Sequence, residues 1–171
     1  MEHYLTSTEL KQNLKRAKEL ARTGIVHVLE NGHAGYVLCS SQVYEDAIRT
    51  ARAQAAWEAE VREVCRDGLH DKARGNVQTL FGIGVTQTAM QDIALEYDGR
   101  AAMDLRQTIT RISEDPGYGL SIELQGLPQG MCKVLAPPHE LVYMWDEAAG
   151  GVLVLGVVSQ PGQQGPIGPR R

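Results

Sequence analysis

No stretch of this chain approaches the roughly 18 consecutive apolar residues of a membrane span. Its first residues lack the apolar core of a secretory leader, because Glu2, Thr6, Glu9 and Lys11 interrupt them. Both absences lead to the expectation of a soluble, cytoplasmic protein with no membrane partner. Cysteine is scarce: Cys39, Cys65 and Cys132 are odd in number and far apart. They offer neither a disulfide framework nor a CxxC-type zinc site and are expected to be reduced and structural. GxSxG, GxxxxGK[ST], HExxH and GxGxxG do not occur, and Gly82-Ile83-Gly84 is a lone fragment without phosphate-loop context. The histidines are scattered, so no metal or cofactor is expected. His27 falls in an alternating apolar strand, where a hydrogen-bonded structural role is expected, and Trp57 and Trp145 read as packing anchors.

What is present is the composition of a globular protein: 171 residues, 43% hydrophobic and 22% charged, with a net charge of −4. That length permits one ordinary domain or two small ones. The charge is uneven, since residues 1–75 carry 11 Lys+Arg against 11 Asp+Glu and residues 76–171 carry 6 against 10. Between the halves, residues 66–77, RDGLHDKARGNV, are polar, hold two glycines and show no apolar period. They read as a linker between two modules, able to span about 30 Å if extended.

In the first module, residues 3–7 read as a strand. Leu10, Leu14, Ala17 and Ala21 then recur at spacings of 4, 3 and 4 and predict one amphipathic helix. Thr6 with Glu9 fits a capping box, and Gly24 is placed to end the helix through a left-handed residue. IVHVLE, Asn31-Gly32 and AGYVLC predict a β-hairpin on a type I′ turn. Ser40 or Ser41 then caps a long helix carrying Val43, Ala47, Ile48, Ala51 and Ala55 to about Val64. The second module opens with TLFGIGVT, read as one strand. Helices are predicted at about 87–97 and 100–114, broken near Asp98-Gly99 and closed by Asp115-Pro116. The second has Ala102, Leu105, Ile109 and Ile112 on one face. Strands follow at about 121–125, 131–136, 140–145 and 152–158, separated by Gly126, Pro137-Pro138 and Ala149-Gly150-Gly151. The fold class is α+β. The tail 160–171, rich in Gly, Pro and Gln, is expected to be disordered.

The first 48 residues resemble the Phd/YefM antitoxin family. They have the opening strand with its Ser/Thr pair, Asn13-Leu14 in the first helix, the glycine before a strand, the Asn-Gly hairpin, and a serine followed by Tyr44-Glu45. The second module is similar in layout to the RelE/ParE toxin superfamily, with Asp115-Pro116 ending a helix, Leu124 to Gly126, a Val-Tyr strand and a final Val-Leu-x-Val strand. Together these resemblances imply an antitoxin and a toxin-like domain in one chain. Residues 1–65 would form a β-α-β-β-α module for DNA binding and dimerisation, and 66–77 the linker. Residues 78–159 would form a helical hairpin packed on an antiparallel sheet, followed by the tail 160–171.

The antitoxin resemblance implies a homodimeric autorepressor bound to operator DNA, with Thr6, Ser7, Thr8, Lys11, Asn13, Lys15 and Arg16 as contacts. Cations beside amide and hydroxyl donors suit phosphate and groove contact, although a solvated helix face explains the same charges. It also implies that the long helix packs on the toxin-like domain, in cis or swapped between chains. The toxin resemblance implies a ribosome-dependent mRNA endonuclease, inhibited by its fused antitoxin. Here the residues depart from the family: the half is acidic, which disfavours a polyanion, and aligning HELVYMW places Glu140 at an expected arginine. Lys133, Tyr143 and His139 are left as candidate catalytic groups, too few for the electrostatic stabilisation such cleavage needs. The domain is therefore expected to be a decayed toxin fold or a binder, with the ribosome-dependent nuclease as the alternative.

Overall fold

The computed structural model describes residues 1–95, 99–146 and 151–161, so Asp98, Ala149-Gly150 and the tail 162–171 lie outside the described residues. The chain divides into two compact units at Arg52/Ala53.

In the first unit, β1 (Glu2–Thr6) lies parallel to β2 (Ile25–Glu30), which pairs antiparallel with β3 (His33–Leu38). The hairpin turn is as the sequence predicts: Asn31 and Gly32 have φ of 51° and 82°, the two left-handed positions of a type I′ turn. The capping box is also present, with Thr6 Oγ1 accepting from the Glu9 amide while Glu9 Oε2 accepts from the Thr6 amide. The expected single helix is instead two, α1 (Ser7–Gln12) and α2 (Leu14–Thr23). Asn13 ends one and caps the other: its amide donates to the Glu9 carbonyl while its Oδ1 accepts from the Arg16 amide. The break turns Leu14 outward, 52% exposed. Ala17 and Ala21 of α2 pack with Leu5, Val26 and the half-buried Leu10. Gly24 is not left-handed but extended, with φ −168°; a Cβ there would overlap the Met1 carbonyl oxygen, whose bond from the Ile25 amide leads into the β1–β2 pairing.

Ser40 Oγ accepts from the Val43 amide and starts α3 (Ser41–Arg74). This helix corrects the largest sequence expectation, since it runs through most of the proposed linker rather than stopping near Val64. Its inward residues, Trp57, Val61, Val64, Cys65 and Gly68, keep a helical period across that segment. Gly68, one of the two glycines of the expected linker, lies close against the sheet: a Cβ there would lie 2.7 Å from the Leu155 carbonyl oxygen. The helix ends at Gly75, φ 75°, a left-handed terminus. Of the apolar residues expected along it, Val43 is half-buried and Ala47, Ile48, Ala51 and Ala55 are exposed.

The second unit, from Ala53, holds a six-stranded sheet of β4 (Val77–Leu80), β5 (Ile83–Thr86), β6 (Leu120–Ser121), β7 (Met131–Ala136), β8 (His139–Asp146) and β9 (Gly151–Ser159), in the order β4-β5-β9-β8-β7-β6. TLFGIGVT is not one strand but the hairpin of β4 and β5. Phe81 and Gly82 turn at φ 52° and 82°, a left-handed conformation that phenylalanine rarely adopts. The helices α4 (Gln87–Leu95) and α5 (Gly99–Glu114) follow, then a 3-10 turn at Pro116–Tyr118. Ala101, rather than Ala102, joins Leu105, Ile109 and Ile112 inside. The expected strand 121–125 shrinks to β6, and β7, β8 and β9 complete the sheet. The class is α+β, as expected.

Both faces of this sheet are covered. Ile93, Leu105, Ile109 and Ile112 of α4 and α5 pack on Leu141, Tyr143 and Val154. On the other face Trp57, Val61, Val64 and Cys65 of α3 pack on Met131, Val142, Leu153 and Leu155. The cysteines are free, and burial pushes the Cys65 thiol up to about 11. Trp57 is an anchor as expected; Trp145 is not, being 52% exposed. Among the described residues no helix is long and apolar enough to cross a membrane.

Asp71, near the end of α3, accepts from both the amide and the hydroxyl of Thr88 at 2.7 Å and so caps α4. Burial works against the charge, but the Thr88 bonds and one from Asn76 hold the carboxyl below its ordinary value of 3.8. Its contribution is therefore complete above the ordinary carboxylate range and is lost as pH falls through the lowered value. Asp71→Ala is expected to cost about 1 kcal/mol at pH 7 and to flatten the acid limb of stability below pH 4, measured by urea unfolding against pH.

Candidate functional site

Two surfaces carry the candidate residues, one in each unit. In the first, Thr6 and Asn13 are engaged in caps, and Thr6 Oγ1 also donates to Glu9 Oε2 at 2.8 Å. A carboxylate already sits at the start of α1, held below its ordinary pKa chiefly by the Thr6 bonds. The N-terminal amides of α1 thus already have an anion. Ser7 is half-buried and Thr8 exposed. Lys11 lies on α1; Lys15 and Arg16 lie on α2, and all three are exposed. On α2 the spacings of Lys15, Lys18 and Arg22, 3 and 4, align their charges in one exposed stripe. The break at Asn13 places Lys11 on α1, apart from this stripe.

The opposite side of this unit's sheet is open. Tyr4 and His27 stack there with ring centroids 5.0 Å apart, beside Val37, which pairs with His27. Tyr4 and Val37 are 59% and 58% exposed. His27 does not make the expected hydrogen bond: its Nε2 lacks one among the described residues and lies 3.8 Å from Glu2 Oε2.

In the second unit, Lys133 pairs with Val142 across β7 and β8, and Cys132 with Tyr143. Directly opposed residues share a face and successive ones alternate, so Lys133 stands on the α3 face and Tyr143 on the α4–α5 face. His139 faces Ala136, a residue of the α4–α5 core, and so lies on the Tyr143 side. The sheet therefore separates the expected catalytic groups instead of bringing them together.

Each of those groups is also engaged. The Tyr143 hydroxyl donates to the Pro116 carbonyl at 2.9 Å and accepts from the Gly119 amide at 3.0 Å, and burial raises its pKa. His139 is only 5% exposed. Lys133 Nζ donates to both Glu140 oxygens at 3.0 and 3.1 Å and lies 4.3 Å from the centre of the Trp57 ring. The Trp57 indole N–H donates to Glu140 Oε2 at 2.8 Å. Glu140, 7% exposed, thus joins a lysine on its own sheet to a tryptophan 83 positions earlier. This arrangement neutralises a cation; it does not present one. Sequence reasoning found each residue but missed the cluster, because no spacing signal links α3 to β7 and β8. It also missed Glu60, whose carboxylate accepts from the Ser159 amide at 3.1 Å, and the 2.9 Å ion pair of Lys72 with Asp146. Among the described residues no group of His, Cys, Asp and Glu could hold a metal.

No protein-family model matches the chain, and no curated protein matches it. Among solved structures, the RelBE2 toxin–antitoxin complex from Mycobacterium tuberculosis is similar at a TM-score of 0.39 and 19% identity, over 46% of this chain and 95% of that chain.

Proposed function

We propose that the chain is a one-piece toxin–antitoxin-type protein: an N-terminal unit that dimerises and represses its own promoter, joined to a toxin-like unit that is catalytically decayed and permanently covered. The observation that carries this reading is the cluster of Trp57, Lys133 and Glu140. It supports neutralisation because Lys133, the lysine among the candidate catalytic groups, is ion-paired and lies over the ring of Trp57 from α3. The ribonuclease alternative would need Lys133, Tyr143 and His139 to act on one substrate, and their opposite faces argue against it. The DNA-binding reading draws on the Lys15, Lys18 and Arg22 stripe. The dimer reading draws on the open apolar face around Tyr4, His27 and Val37, which a second copy would cover.

The test is binding of the intact protein to the DNA upstream of its own gene, followed against salt. A specific complex is expected. Lys15→Ala, Lys18→Ala and Arg22→Ala together should lower the salt slope by about 0.9 for each phosphate contact removed. Val37→Asp should give a monomer by sedimentation and abolish the complex. No specific binding by the intact protein would remove the repressor claim.

A further inference from the structure

The division of α3 falls at a consequential place. Residues 44–52 are exposed along their whole length, whereas residues from Trp57 onward are built into the core of the second unit. The boundary between the units, Arg52/Ala53, falls before the buried stretch. From Trp57 to Lys72, this part of the helix is tied to its own unit by several independent contacts. Trp57 donates to Glu140, Glu60 accepts from Ser159, Gly68 meets Leu155, Asp71 caps α4 at Thr88, and Lys72 pairs with Asp146.

We propose that residues 57–72 are a covalently built-in cover belonging to the six-stranded sheet, so that losing the N-terminal unit ends DNA binding without uncovering the sheet face or freeing Lys133. This inference rests on the proposed function for the loss of DNA binding and for its consequence in the cell; the seating of residues 57–72 on the sheet stands without it. An exposed helical stretch with little buried surface opens locally at low cost and is where proteolysis concentrates. Residues 44–52 are such a stretch. A cut there separates the repressor from a second unit that keeps its own cover, so the device relieves repression but releases no toxic activity.

The experiment uses the full chain with a site-specific protease sequence placed between Arg52 and Ala53. Trp57 and Trp145 are the chain's tryptophans, and both lie in the second unit, so tryptophan fluorescence reports that unit alone. Cleavage is expected to move its thermal midpoint by less than about 3 °C, to leave binding of an apolar dye unchanged, and to cause no growth arrest when done in cells. A fall of more than about 10 °C, or a rise in dye binding, would overturn the proposal and leave the promoter-binding reading standing. Growth arrest with an unchanged midpoint would also overturn it, because an activity would have appeared with the cover in place. The promoter-binding reading fails by a separate result, the absence of promoter binding by the intact, uncleaved protein.

Discussion

Trp57→Ala is expected to destabilise the second unit by about 3–5 kcal/mol, the usual cost of truncating a buried aromatic. The indole is 7% exposed and packs with Val61, Val142 and Val158. Its removal leaves a cavity, takes a donor from the buried Glu140 carboxylate and removes the ring beneath the Lys133 ammonium. Trp57→Phe separates these effects: it keeps a ring for packing and for the cation but loses the N–H, and should cost about 1–2 kcal/mol. Urea unfolding followed through Trp145 measures both variants. Equal losses would mean that the hydrogen bond, not the packing, holds α3 to the sheet.

Gly68→Ala is expected to destabilise by about 1–3 kcal/mol, the cost of overpacking, although the same change in an exposed helix stabilises by about 1 kcal/mol. The sign decides the matter. The new methyl would lie 2.7 Å from the Leu155 carbonyl oxygen and 2.9 Å from its Cα, backbone atoms of β9 that cannot turn aside as a long side chain can. Gly68→Val adds a branch in the same place and should be worse. A gain in stability for Gly68→Ala would show that α3 is not seated on β9.

Gly68 also marks where the sequence stopped being legible. Asn31-Gly32, the Thr6–Glu9 box, the Ser40 cap and β7 follow from chemistry between near neighbours, and the structure has them where the residues put them. The continuation of α3 beyond Val64 involves a contact with Leu155, 87 positions later, so a polar, glycine-containing segment that packs closely read as a linker. Phe81 at φ 52° conceals the β4–β5 turn for a related reason: its backbone conformation contradicts its side chain, and only the sheet around it resolves the conflict.

The candidate site was legible as residue types and not as a place. Lys133 and Tyr143 are ten positions apart, and only the register of β7 on β8 reveals that they point to opposite faces. In the sequence Glu140 was legible only as an acidic residue where the toxin resemblance leads one to expect an arginine. Its ties to Trp57 and Lys133 show what the carboxylate does in this fold: it holds the ring and the ammonium of the buried cluster.

In α3 one helix is exposed over residues 44–52 and seated on the sheet from Trp57 onward. Amide hydrogen exchange along α3 in the intact protein tests it most directly. Residues 57–69 are expected to exchange within about tenfold of β8 and β9, through the same opening, while residues 44–52 exchange far faster. Exchange at residues 57–69 as fast as at 44–52 would mean that α3 is not held on the sheet.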